Sequence, residues 1–113
     1  MVCLMPTFQS HQDRSWKTVA PGVEFCVLRP HGSQGTGDGM TLLVRMAAGA
    51  DAQLHDHAGG EETYIVSGKM RIGTRELVAG DYLWTAPGEP HDGHAHVETV
   101  FFVVLPAGLQ VLA

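Results

Sequence analysis

Residues 49–68 read GADAQLHDHAGGEETYIVSG, and this stretch decides the fold. His55 and His57 are separated by one residue, and side chains at i and i+2 project from the same face of a β-strand. On an α-helix that spacing would place them on different faces. A pair of glycines then allows a bend, after which Glu61 and Glu62 follow. The stretch therefore favours a strand whose histidines, with a carboxylate reached through the bend, converge on one point.

The rest of the chain reads as short β-type runs separated by Gly, Pro and Asp. The strand candidates are Val23–Leu28, Met40–Met46, Ala52–His57, Glu62–Ser67, Lys69–Gly73, Glu76–Val78, Tyr82–Thr85 and Glu98–Leu105. The last run is apolar at odd and even positions, which predicts burial on both faces. The only helical element that we predict is a single turn around Ser10–Thr18. Many short strands separated by turns indicate an all-β sandwich or barrel.

Composition limits the functional classes. With 113 residues, 44% hydrophobic residues and a net charge of −5, the chain is one globular domain whose acidic balance argues against nucleic-acid binding. We expect no secretory signal at the N-terminus and no membrane span, because the most apolar stretch, 100–113, is short and interrupted. Two distant cysteines, Cys3 and Cys26, favour a reduced, cytoplasmic protein, with one disulfide as the alternative.

A third histidine can complete a metal site. His91 follows the tight turn at Pro87–Gly88 and can approach the first two histidines from another strand. Three imidazole nitrogens and one carboxylate suit Zn, Fe, Mn, Ni or Cu better than Ca or Mg. From His55 and His57 alone, a pair of surface histidines beside a charged strand edge is an equally good interpretation. The other four histidines are interpreted as solvated loop residues: His11, His31, His94 and His96.

The order of these residues resembles the two motifs of the cupin superfamily. The first motif, G-x5-H-x-H-x3-4-E-x6-G, is matched at every specified position from Gly49 to Gly68. The second, G-x5-P-x-G-x2-H-x3-N, keeps Gly80, Gly88 and His91, but alanines stand at its proline and asparagine positions. The run HAGGEETYIVSG at 57–68 is similar to the zinc-binding cupin domains of bacterial ECF-type anti-sigma factors and to related small dioxygenases.

This resemblance implies a fold and a ligand set. The fold is the cupin double-stranded β-helix, a jelly-roll-like barrel, over residues 21–113, preceded by an N-terminal arm over 1–20. The implied ligands of one divalent transition metal ion per chain, with Zn or Fe ahead of Mn or Ni, are His55, His57, Glu61 and His91. Glu62 is the alternative carboxylate ligand if the strand has not yet begun at Glu61.

Further side chains are candidates for the substrate pocket. Gln53 shares strand parity with His55 and His57. For the three aromatic candidates, Tyr64, Trp84 and Phe102, core packing is the alternative role. The complete set is Gln53, Tyr64, Trp84, Phe102 and His96. His94 and His96 form a second His-x-His pair that we place at the rim of the site, with proton transfer or metal binding as the alternative.

The resemblance leaves three functions open. The first is a metal-dependent, dioxygenase-like oxidoreductase acting on a small oxygen-chelating substrate such as a diketone or hydroxyketone. The second is a non-catalytic regulatory module that binds zinc or senses a small molecule. The third is a scaffold with a vestigial site. The expected partners are a small-molecule ligand and a second copy of the chain in a homodimer.

Overall fold

The described chain consists of eleven β-strands and a 3₁₀ helix at His11–Asp13. The computed structural model describes residues 6–32 and 39–107 and the backbone of 110–111. The strands are β1 (Lys17–Ala20), β2 (Val23–Pro30), β3 (Met40–Met46), β4 (Asp51–Asp56), β5 (Glu61–Ser67), β6 (Lys69–Ile72), β7 (Arg75–Val78), β8 (Tyr82–Thr85), β9 (His91–Ala95), β10 (Thr99–Leu105) and β11 (Gln110–Val111). No helix in the described part has the length and apolarity to cross a membrane.

The strands form two antiparallel sheets. One has six strands in the order β1-β2-β3-β10-β5-β8, and the other has five in the order β11-β4-β9-β6-β7. Consecutive strands β4 and β5 lie in different sheets, as do β9 and β10, so the chain crosses repeatedly between the layers. This arrangement confirms the predicted all-β fold and its jelly-roll-like barrel.

Alternating side chains build the core between the sheets. On β10, Phe101, Val103 and Leu105 are buried and face residues from both sheets, as the period of two along a strand requires. The intervening residues of β10 are only half-buried. The prediction that this run is buried on both faces was therefore wrong for its outer face, which no second layer of the described residues covers completely.

The N-terminal segment differs in part from the sequence prediction. The predicted helical turn exists as the three-residue 3₁₀ helix, and the Ser10 hydroxyl caps it by accepting a hydrogen bond from Gln12 N at 3.2 Å. Lys17–Ala20, which we had placed in the arm, forms β1 and pairs with β2. A run of four residues is too short to show a strand period, so this pairing depends on β2 rather than on a local signal.

The turn between β4 and β5 requires glycine at position 60. Gly60 has φ +80°, and a Cβ there would lie 2.3 Å from Trp84 Cη2 and 2.9 Å from the carbonyl oxygen of Thr85. Both the left-handed backbone and the close approach of β8 exclude a side chain. The turn carries the chain from His57 to Glu61, and it therefore positions both residues for the site described below.

Two interpretations from the sequence involve residues that the structure does not describe. They concern Cys3, one member of the alternative disulfide, and the end of the apolar stretch 100–113. Cys26 itself is buried, and its thiol lies 3.6 Å from Gln9 Oε1.

Candidate metal centre

Four side chains meet where β4 ends and where β5 and β9 begin. His55 lies on β4, His57 directly follows that strand, and Glu61 and His91 begin β5 and β9. Each contributes one potential ligand atom, and the four atoms lie within 4.8 Å of one another. A coordination sphere with bonds of about 2.1 Å is about 4.2 Å across. The structure thus brings together all four residues named as ligands from the sequence, while metal binding itself remains a proposal.

Strand pairing explains how the two histidine-bearing strands meet. In the β4–β9 ladder His55 is paired with His91, whereas Ala52 is paired with Gly93. Between these two pairs, Gln53 and Leu54 of β4 oppose the single residue Asp92 of β9, which is a β-bulge. The bulge changes the parity, so that Ala52 and His55 both line the interior cavity. Gln53 also lines the cavity, as predicted. The simple alternation from which that position was predicted, however, does not hold across the bulge.

His57 supplies the clearest sign that the cluster fits a metal ion. Its side chain is completely buried, and neither ring nitrogen has a hydrogen-bond partner among the described residues. Its Nε2 lies 2.6 Å from Glu61 Oε2, although the geometry is not that of a hydrogen bond. A buried polar atom without a partner costs about 1–3 kcal/mol. A cation shared by the imidazole and the carboxylate would remove that cost, so the donor set fits a divalent transition metal.

Glu61 remains ionised despite its burial. Burial alone would raise the pKa of this carboxyl, but the adjacent His57 imidazole, the hydrogen bond from the Thr63 hydroxyl and the proximity of His91 together hold that pKa below its usual range. Thr63 Oγ1 donates to Glu61 Oε1 at 2.8 Å, and the Thr63 side chain is fully buried. Glu61 is therefore available as an anionic ligand at neutral pH.

Two further contacts orient the imidazoles. His55 Nδ1 lies 2.6 Å from the carbonyl oxygen of Gln53, to which it donates, so its Nε2 is left free for a ligand role. His91 is nearly buried, and burial is the main reason that its pKa lies below that of an ordinary histidine. A lowered pKa keeps His91 neutral at pH 7, which is the form that binds metals.

Asp56 and Thr63 are site residues that the sequence did not reveal as such. Asp56 Oδ1 accepts hydrogen bonds from His57 N at 2.8 Å and from Gly88 N at 3.1 Å, and so connects the β4–β5 turn to the loop before His91. Thr63 is two residues beyond Glu61 on the same strand face, so parity alone would have identified it. Of the two partners of Asp56, Gly88 is 32 residues away in the sequence, so no local pattern points to that contact.

Glu62 does not belong to the cluster. It occupies the opposite face of β5, where its Oε1 accepts a hydrogen bond from the Tyr82 hydroxyl at 2.8 Å. Strand β5 has already begun at Glu61, so adjacent glutamates point to opposite sides of the sheet. The geometry removes the alternative in which Glu62 is the carboxylate ligand.

A cavity of about 220 Å³ adjoins the cluster. His55, Glu61 and His91 form part of its wall, and Gln53 and Asp92 add further polar side chains. The remaining wall comes mainly from apolar side chains of β1, β2, β3, β6 and β10. A small molecule in this space would contact the cluster at one side and an apolar surface elsewhere.

The other predicted pocket residues lie elsewhere, which corrects those assignments. Tyr64 and Trp84 are 46% and 49% exposed on the outer face of the six-stranded sheet, and Phe102 pairs with Tyr64 on that face. Their neighbours in sequence face the interior, so alternation directs these aromatic rings outward. His96 is also outside the cavity wall, with its Nε2 2.7 Å from Glu76 Oε2, and His94 is similarly paired with Asp51.

Comparison with known proteins places this fold and site in a family. The chain is 33% identical over 69 residues to the DNA damage-repair/toleration protein DRT102 of Arabidopsis thaliana, a match that covers 56% of this chain and 22% of that protein's length. An acetylacetone dioxygenase from Acinetobacter johnsonii superposes with a TM-score of 0.74 at 17% identity, covering all of this chain and 80% of that one.

The complex of Rhodobacter sphaeroides SigE with the anti-sigma factor ChrR gives a TM-score of 0.72 at 22% identity, covering 85% of this chain and 50% of that chain. At these identities the structural matches establish the fold alone. The family model for the ChrR cupin-like domain matches residues 6–108, nearly the whole sequence. The chain belongs to the ChrR cupin-like family.

Proposed function

We propose that the protein is a metal-dependent, dioxygenase-like oxidoreductase acting on a small oxygen-chelating substrate such as a diketone or hydroxyketone. The observation that carries this proposal is the fully buried imidazole of His57, whose nitrogens have no hydrogen-bond partner among the described residues. It lies beside Glu61, which lines a ligand-sized cavity. An ion that served only to stabilise the fold would not require such an adjoining space. The similarity to an acetylacetone dioxygenase supports the same class of chemistry.

In this proposal the ion is held by His55, His57, Glu61 and His91. A redox-active divalent ion bound there would polarise a chelating substrate and permit its reaction with O₂. The protein keeps Glu61 anionic and His91 neutral, and it fixes the tautomer of His55 through the carbonyl of Gln53. The apolar wall excludes water from the side of the ligand that faces away from the cluster.

The second candidate is a regulatory module that binds Zn²⁺ or senses a small molecule. The family match and the similarity to ChrR, which is in complex with SigE in the solved structure, favour this function. Three histidines and one glutamate can close a tetrahedral zinc site, which would leave no position for a substrate. The two candidates therefore differ in the native metal and in whether a ligand binds to it.

Metal analysis and oxygen uptake distinguish these candidates. Protein purified without added metal is analysed for bound elements, and O₂ consumption is measured after loading with Fe(II) in the presence of pentane-2,4-dione or a hydroxyketone. We expect substrate-dependent uptake that is lost in His57→Ala and retained in Glu62→Gln, since Glu62 lies on the outer face. Fully bound zinc, with no uptake after Fe(II) loading, would contradict the enzymatic function and favour the regulatory one.

We also propose that the chain forms a homodimer through the outer face of the six-stranded sheet. Large apolar side chains there are about half exposed, between 46% and 57%: Tyr64, Val66, Tyr82 and Trp84. Contiguous apolar surface of this kind is typical of an interface. Light scattering should give the mass of a dimer, and Val66→Asp should give a monomer with an unchanged melting transition. A monomeric wild-type protein would contradict the proposal.

A further inference from the structure

The cavity wall defines the class of ligand more narrowly than the cluster does. We infer that the ligand is an uncharged molecule with one oxygen-chelating end and an apolar body, such as an alkyl- or aryl-substituted β-diketone, rather than a polyhydroxylated sugar derivative. This inference rests on the proposed function, because the chelating end is assigned to the ion. It goes further by naming what the remainder of the ligand must be.

The distribution of polarity in the wall carries the inference. The polar lining residues belong to β4, β5 and β9 at the cluster end: Gln53, His55, Glu61, His91 and Asp92. The inner faces of β2, β3 and β10 contribute Phe25, Val44 and Phe101, which offer no hydrogen-bonding side-chain atoms. A hydroxyl placed against that surface would lose its water without gaining a partner, at an energetic cost that an alkyl or aryl group avoids.

The charges of the lining residues also favour an uncharged ligand. Among the described residues that line the cavity, none is a lysine or arginine, whereas Glu61 and Asp92 are both acidic. The guanidinium that contacts the wall residue Asp92 is that of Arg71, at 3.0 Å, and this carboxylate already neutralises it. A carboxylate or phosphate on the body of the ligand would therefore find no cationic partner in this wall.

Ligand binding to Fe(II)-loaded protein in the absence of O₂ tests the inference without turnover, and it avoids the tetrahedral zinc site that the four protein ligands could close. Calorimetry compares pentane-2,4-dione with heptane-2,4-dione and nonane-2,4-dione, and with dihydroxyacetone as the small hydroxylated ligand. Each buried methylene should tighten binding by about fourfold until the cavity is filled. Dihydroxyacetone should bind more weakly than any dione, because its hydroxyls face the apolar wall.

Two variants locate the effect in the wall. Val44→Thr introduces a hydroxyl at nearly constant volume on the inner face of β3 and should weaken binding of nonane-2,4-dione by about fivefold or more, with little effect on pentane-2,4-dione. Val78→Thr is the matched control, because Val78 is a strand residue that is 48% exposed and does not line the cavity. Phe25→Leu enlarges the cavity and should therefore raise the affinity for nonane-2,4-dione relative to that for pentane-2,4-dione. This second variant keeps the test informative if Val44→Thr does not fold.

The outcomes separate this inference from the proposed function. Tighter binding with increasing chain length, reduced by Val44→Thr and not by Val78→Thr, supports the apolar ligand even if Fe(II)-loaded protein consumes no O₂. Oxygen uptake with dihydroxyacetone but not with the longer diones would support the enzyme and overturn the inference. Affinity that is independent of chain length, or no dione binding at all, also overturns it.

Discussion

Thr63→Val removes a single hydrogen bond from the centre of the site and leaves the shape of the side chain almost unchanged. The Thr63 hydroxyl donates to the Glu61 carboxylate at 2.8 Å, and the threonine is fully buried. The valine methyl fills the space of the hydroxyl, so no other donor can take that position. The substitution therefore measures how strongly Thr63, the third residue of β5, supports the proposed ligand Glu61.

The expected magnitude follows from the charge of the acceptor. A hydrogen bond to an ionised group contributes about 1.5–3 kcal/mol, and the valine methyl returns up to about 0.8 kcal/mol through its burial. The metal-free variant should lose about 1–2 kcal/mol, which corresponds to about 4–8 °C in melting temperature for a chain of this size. Metal affinity should fall about 10- to 100-fold, as is typical when a group that orients a ligand is removed.

The pH dependence provides a second measure. The Thr63 hydrogen bond contributes to the lowered pKa of Glu61, so it stabilises the folded state above the pKa of an unfolded glutamate. That contribution disappears as the pH falls through the folded-state pKa, where Glu61 becomes protonated. The difference in melting temperature between wild type and Thr63→Val should therefore be largest at neutral pH and should narrow under acidic conditions.

Thermal denaturation of the metal-free proteins from pH 7 downwards is the assay. Thr85→Val is the matched control, because Thr85 is also buried but its hydroxyl lies 3.5 Å from His91 Nδ1, at the limit of a hydrogen bond. It should cost less than about 1 kcal/mol. If Thr63→Val and Thr85→Val have equal effects, or if the loss for Thr63→Val does not depend on pH, the assignment of Glu61 as a hydrogen-bonded buried anion is wrong.

Three further predictions concern the β4–β5 turn at Gly60, the hydrogen bonds of Asp56 and the pH dependence of metal binding. Gly60→Ala should destabilise the fold by about 2–4 kcal/mol in chemical denaturation, because a clash with Trp84 adds to the strain of the left-handed backbone. Gly49→Ala is the control, since Gly49 also has a positive φ but open space around it, and it should cost only about 1–2 kcal/mol. Equal losses for the two variants would contradict the predicted clash. Asp56→Ala should lower metal affinity about tenfold in chelator competition because the backbone N–H of His57 loses its acceptor, and an unchanged affinity would contradict the anchoring role. Metal should dissociate as the pH falls through the range of histidine protonation, in which burial holds the pKa of His91 below its ordinary value. Retention of metal at pH 4 would contradict a site built on three imidazoles.

The sequence was sufficient to predict the all-β fold because its local signals agree. The run of residues Met40–Met46 is a strand of the structure with the same bounds, and the glycine pair marks the turn where His57 precedes Glu61. The spacing to Glu61, together with strand parity, correctly placed Glu62 on the other face. These features depend on periodicity and turn chemistry, which a single sequence contains.

The sequence did not predict the features that depend on contacts between distant strands. The bulge in β4 changes which residues face the cavity, and it exists only through the pairing with β9. Tyr64 and Trp84 were candidates for the pocket, with core packing as the alternative, but alternation within β5 and β8 turns both outward. Asp56 acts through an amide 32 residues away, for which the sequence carries no local signal.

The most direct test of the metal centre is the metal content and metal affinity of wild type, Glu61→Gln and Glu62→Gln, measured by elemental analysis and chelator competition. The two variants make the same chemical change at adjacent positions on opposite faces of β5. We predict that the wild type binds a single divalent transition metal ion per chain. Glu61→Gln should reduce affinity by more than about 100-fold, beyond the effect typical of an outer partner, and Glu62→Gln should leave it unchanged. A wild-type chain that binds no metal, or a loss confined to Glu62→Gln, would contradict the assignment.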